Sequence, residues 1–163
     1  MPRIFRALTS ALSLALFTAG CATYRIVPNT GLALYVEPFQ NHSLEPQIEV
    51  FLTAHLKNTI AERPGFTLAR NTKTADATLR GTILDCHREV DFFSQDEEVE
   101  MAAYRVKIAY TLAVEGKEHT GILEGVWHVS LASGFDRKKF LDNLADSLAA
   151  SLYLRLVNDV SQQ

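Results

Sequence analysis

The sequence predicts an α+β two-layer sandwich: a mainly antiparallel sheet of four to five strands with two helices on one face, in the order β-α-β-β-β-β-α with one strand short or absent. Three observations predict it. Apolar residues recur at every second position in three consecutive segments, Ala77–Ile83, Tyr104–Val114 and Thr120–Ala132, so each reads as a strand with one buried and one wet face. Two other segments, Ile48–Ile60 and Phe140–Leu156, carry apolar stripes at helical spacing. Finally, Glu115-Gly116-Lys117-Glu118 is a plausible hairpin turn between two of the alternating segments, which favours an antiparallel meander.

In chain order, Leu32, Leu34 and Val36 alternate at period two and Pro38 ends any ladder, giving a first buried strand and its stop. Gln40-Asn41-His42-Ser43 reads as a turn. Pro46 suits the first turn of a helix, and Ile48, Leu52, Leu56 and Ile60, with Phe51 and His55 beside them, predict a helix from Pro46 to Glu62. Arg63-Pro64-Gly65 breaks it, and Phe66–Ala69 has the length of a short edge strand. The three alternating segments follow. The stretch Asp85–Glu100, rich in acidic residues, reads as a solvated loop between the first two of them. Asp136 opens the last helix, where the dipole favours a negative charge, and the helix runs to Val157 on Phe140, Leu141, Leu144, Leu148, Leu152 and Leu156.

The N-terminal end carries a different plan. Met1-Pro2-Arg3-Ile4-Phe5-Arg6 has two cations and no acid, an apolar run follows from Ala7 to Phe17, and small residues close it, which are the three parts of a secretory signal. The fourteen residues from Ala7 to Gly20 fall short of the roughly 20 that a spanning helix needs. Thr18-Ala19-Gly20-Cys21 resembles the lipobox of bacterial lipoproteins, in which the cysteine is lipidated and becomes the new N-terminus. Two or more acyl chains hold a protein firmly where a single one does not. The expected organisation is therefore a signal peptide at residues 1–20, a lipidated tether at 21–30 that includes Pro28 and Asn29, and one periplasmic domain at 31–163. Loss of Arg3 and Arg6 takes the formal charge from −3 to −5, because acylation also neutralises the new amino terminus; general nucleic-acid binding is disfavoured. With Cys21 carrying lipid, Cys86 has no partner in the chain and is expected to be a buried thiol.

For catalysis the sequence offers no glycine-rich phosphate loop, no histidine pair at zinc spacing and no serine in a nucleophile elbow. The expectation is a protein that acts by binding, with no catalytic residues, no cofactor and no metal. Cys86-His87 beside Glu89, Asp91, Asp96, Glu97, Glu98 and Glu100 has the composition of a cation site but lacks calcium-loop spacing. Strand parity places Arg80, Arg105 and Lys107 on the sheet face away from the helices, among Thr78, Thr82, Thr111 and Ala109. Arginine forks and hydroxyls there suit phosphate or a protein partner, and the plain alternative is a wet face with pairing to Glu124. Tyr104, Tyr110 and Trp127 sit at core parity.

The order of motifs also resembles a known family. A lipidated cysteine, then Leu34-Tyr35-Val36-Glu37-Pro38-Phe39-Gln40-Asn41, Glu45-Pro46 opening a helix, the alanine-aspartate-led strand Ala75-Asp76-Ala77-Thr78-Leu79-Arg80-Gly81-Thr82-Ile83, the strand from Tyr104-Arg105-Val106 and the final long helix are together similar to LptE, the lipopolysaccharide-assembly lipoproteins. The resemblance spans nearly all of residues 21–157. It implies a lipid-anchored protein on the periplasmic side of the outer membrane that serves as plug and partner of the LptD β-barrel and assists lipopolysaccharide transport. Ala22 after the cysteine resembles the arrangement that permits sorting to the outer membrane. The first strand with Pro38-Phe39 and Asn41 is similar, too, to the N-terminal domains of TolB-like and CsgG-like envelope proteins, which implies a subunit of an oligomeric secretion or envelope assembly.

Overall fold

A computed structural model describes residues 31–93, 99–130 and 136–161. The signal segment, Cys21 and the tether lie outside the described residues, as does the centre of the acidic stretch at 94–98. The elements are β1 (Leu32–Val36), β2 (Gln40–Asn41), α1 (Ile48–Glu62), β3 (Phe66–Leu68), a 3₁₀ turn (Thr72–Thr74), β4 (Ala77–Phe93), β5 (Val99–Val114), β6 (Lys117–Ser130) and α2 (Arg137–Ser161). They form the expected α+β sandwich.

The sheet order is β3-β1-β4-β5-β6, with β2 also paired to β4. β4, β5 and β6 form the predicted antiparallel meander, from Ala77↔Val114 and Val114↔Lys117 outward. The other half is parallel: β1 pairs with β3 and β4, and β2 with β4, so the sheet is mixed. The reason is connectivity. Helix α1 carries the chain from β1 back to the starting end of the sheet, so β3 enters in the same direction as β1. Asp76 fixes the junction of β1 and β4: its carboxylate accepts from the Ala33 N–H at 2.8 Å while its own N–H donates to the Ala33 carbonyl at 2.8 Å.

Two local readings change. Gln40-Asn41 is a two-residue strand on β4 rather than only a turn, Gln40 pairing with Thr82 and Asn41 with Ile83. The stretch read as a loop from Asp85 is largely strand, since β4 continues to Phe93 and β5 resumes at Val99. Bulges between Ile83 and Asp85 and between Arg88 and Val90 break the period of two, so sequence alternation fails where the ladder continues. The first bulge matters most: it leaves Leu84 40% exposed and turns Cys86, 3% exposed, into the core. Without it the charged Asp85 would take an inward position.

The helices end where their caps dictate. α1 begins at Ile48, two residues later than Pro46, because Gln47 sits in the left-handed region at φ 72. Asp136 caps α2, its Oδ1 accepting from the N–H groups of Lys138 and Lys139 at 2.9 and 3.3 Å, and the helix runs past Val157 to Ser161. Leu52, Leu56 and Ile60 of α1 and Leu141, Leu144, Leu148, Leu152 and Leu156 of α2 are buried against Leu34, Val36, Leu79, Ile83, Val106, Ile108 and Leu112 of the sheet. Two strand glycines make room for aromatic rings: a Cβ at Gly81 would strike the Phe39 ring, and one at Gly121 would strike Tyr110. Tyr110 passes this gap to donate its hydroxyl to Asp159 of α2 at 2.7 Å.

Candidate functional site

With both helices on one face, the other face of the sheet is open, and its residues fall into rows set by the strand register. A central row runs Thr82, Ala109, Ile122 across β4, β5 and β6. On the side where β1 starts lies the row Arg80, Thr111, Thr120, with Glu37 just past β1, and beyond it Tyr35, Thr78, Ala113, Glu118. On the other side lie the row Asp85, Lys107, Glu124, with Leu84 in the bulge, and then His87, Arg105, Val126. The small residues of the centre leave a shallow depression of about 620 Å³, lined by Arg80, Thr82, Ala109, Thr111, Thr120 and Ile122 among others.

Arg80, Arg105 and Lys107 all lie on this face, as parity predicts, but they do not converge. Each is held by its own carboxylate: Arg80 Nε donates to Glu37 at 3.1 Å, Arg105 Nη2 to Glu89 at 2.6 Å, and Lys107 Nζ to Glu124 at 3.2 Å. The Glu89 hydrogen bond, followed by its charge, holds the Arg105 guanidinium above its ordinary value. His87 Nδ1 sits 2.8 Å from Asp85. The pairing of Lys107 with Glu124 is the one that the sequence suggests. Glu37 and Glu89 went unread because a carboxylate beyond a strand end or in a bulge has no parity to place it; Leu84 went unread for the same reason. The large apolar side chains among these rows are half in water: Ile122 is 50% exposed and Leu84 and Val126 are each 40% exposed.

The groups with chemical potential are scattered. The Cys86 thiol points into the core, and its pKa is pushed up to about 12, first by burial and then by the charges of Glu45 and Asp85, so it is a poor nucleophile. Its neighbour His87 faces the open side. His119 and His128 stand opposite Leu112 and Ala103, at the two ends of β6, so neither joins Cys86 and His87 in one cluster. His55 bridges the helices, with Nε2 3.2 Å from Asp142 and Nδ1 3.7 Å from Asp146 of α2. Burial first, then the hydrogen bond to Asp159, pushes the Tyr110 pKa up to about 12. Tyr104 packs on Phe140 of α2, ring centroids 4.6 Å apart, and it and Tyr110 are core residues as expected.

No protein-family model and no curated protein matches the chain by sequence. Solved structures are similar in shape. A hypothetical protein of Chlamydia trachomatis is 9% identical over 82% of this chain and 99% of its own, with a TM-score of 0.55, and shares the fold. Weaker likenesses are the dodecameric PelC of Paraburkholderia phytofirmans, at 17% identity, 74% and 84% coverage and a TM-score of 0.49, and rare lipoprotein B of Shewanella oneidensis, at 8%, 78% and 97%, and 0.44.

Proposed function

We propose that this chain is an outer-membrane lipoprotein, anchored on the periplasmic side through Cys21, that acts by binding and assists lipopolysaccharide transport as the partner of an LptD-like β-barrel. The observation that carries the reading is the order of signal segment, Thr18-Ala19-Gly20-Cys21, ten-residue tether and a single sandwich beginning at β1. Residues 21–30 span at most ~35 Å when fully extended. The tether therefore holds the domain close to the membrane at high local concentration beside an embedded partner, and modest contacts suffice.

The fold supports one part of this geometry directly. The tether joins the end of the sheet where β1 starts, which is also the end of the β5–β6 turn at Glu115-Gly116. β4 runs from that end for 17 residues, ~55 Å at the usual rise. Its far end at Phe93 is thus carried away from the point of attachment. Arg80, Arg105 and Lys107 would reach a lipopolysaccharide phosphate only by releasing the carboxylates that hold them, so in this reading transport is assisted through the barrel partner rather than through a phosphate cradle on the sheet.

The test is affinity purification of the tagged, lipidated protein from detergent-solubilised outer membranes. A large β-barrel recovered in equal amount is the expected result. Recovery of rings of the chain with no barrel would instead favour the secretion-type assembly that the TolB-like and CsgG-like resemblance implies.

A further inference from the structure

The open face has the anatomy of a protein interface. An apolar and small centre, Thr82, Ala109 and Ile122, is flanked by rows whose cations and carboxylates are already paired, the pattern of a low-charge core inside a polar rim. We propose that this face takes a second copy of the chain, the two sheets packing face to face about a two-fold axis that runs across the strands beneath the central row.

The register makes the face self-complementary about that axis. Rotation leaves each strand over its own copy and exchanges the rows on either side of the centre. Ala109 meets Ala109 and Ile122 meets Ile122. Arg80 of one copy comes over Asp85 of the other, twice; Thr111 comes over Lys107 and Thr120 over Glu124. In the next rows Ala113 comes over Arg105 and Glu118 over Val126. No like charges are superposed, and the new Arg80–Asp85 pairs form without breaking the pairs within each copy. A two-fold axis along the strands would instead set Lys107 on Lys107 and is disfavoured by repulsion. The area is sufficient: β4, β5 and β6, with β1 and then β2 along the outer edge of β4, make four strand widths at ~4.8 Å spacing, and over the nine residues Ala77–Asp85 at ~3.3 Å rise they give ~570 Å² per copy and ~1,100 Å² in all, above the ~1,000 Å² that a specific interface needs. The two surfaces would pack as aligned sheets do, ~10 Å apart.

The experiment uses the full, lipidated chain in membranes, treated with a short bis-maleimide. Cys86 is buried and unreactive, so an introduced thiol is the target. Ala109→Cys lies on the axis and is expected to give a covalent dimer of twice the chain mass. Glu118→Cys lies four residues from the central row on β6, so its two copies are ~26 Å apart and no dimer is expected. Adding Ile122→Asp to Ala109→Cys should lower the yield at least tenfold, and since Ile122 is half exposed the fold should survive, as circular dichroism would confirm. A folded, maleimide-reactive Ala109→Cys chain that stays monomeric overturns the proposal. So does cross-linking to a much larger protein, or equal dimer yield from Glu118→Cys. The barrel reading fails separately, by loss of the barrel in affinity purification while the Ala109 cross-link persists.

Discussion

At the scale of single residues, the informative positions are those where a side chain must be missing or must stay neutral. Gly121 lies where the Tyr110 ring passes beneath β6 on its way to Asp159, and Gly81 where Phe39 crosses β4. Gly121→Ala and Gly81→Ala are each expected to cost about 1–3 kcal/mol of stability by overpacking, read as a lowered urea midpoint. Glycine inside an alternating strand hints at such close approach, but its partner ring cannot be named without the fold. Cys86 and Tyr110 both hold their protons more tightly in the folded chain than in the unfolded one, with pKa values raised to about 12 from 9.0 and 10.0. For such groups the stabilisation is complete below the unfolded pKa and is lost as pH rises toward the folded one. The urea midpoint should therefore fall from about pH 9 upward, and Cys86→Ala should flatten the first part of that fall; a midpoint that stays level from pH 8 to 11 would refute the assignment.

At the scale of elements, termini and bulges decide more than propensity does. Asp136 satisfies two otherwise free N–H groups at the start of α2. Asp136→Ala should destabilise the domain by about 1 kcal/mol, measured by thermal or urea unfolding, whereas Asp136→Asn should be nearly neutral because asparagine caps as well. The bulge at Leu84 carries a larger consequence, since it sets which residues beyond it face the helices. Deleting Leu84 would remove the extra residue and leave Ile83, Asp85 and Cys86 alternating inward, outward, inward, the faces they already occupy. The expected result is a chain that still gives one cooperative unfolding transition, and loss of that transition would show that the bulge residue itself is needed. The helices and the strands Ala77–Ile83 and Tyr104–Val114 were legible because their periods are unbroken. The strand beyond Leu84 was not, because each bulge resets the phase that a pattern of period two relies on.

At the scale of the whole molecule, the start of β1 and the far ends of β4 and β5 stand at opposite ends of one sheet, and the open face lies between them. Cys21→Ala is expected to abolish palmitate labelling and release the protein from the membrane fraction; a variant still labelled would overturn the lipid anchor. The sequence by itself determined what local pattern determines: the α+β class, the two helices, the antiparallel meander and the face on which Arg80, Arg105 and Lys107 lie. Each depends on spacing along one segment, and spacing is written in the chain. Only the tertiary structure decided the parallel pairing of β1 with β3 and β4, the rows that make the open face self-complementary, and the carboxylate held by each cation. Glu37 meets Arg80 across 43 positions and Arg105 meets Glu89 across 16. Such partners are fixed by which strands lie side by side and in what register, and no period within a single strand carries that information.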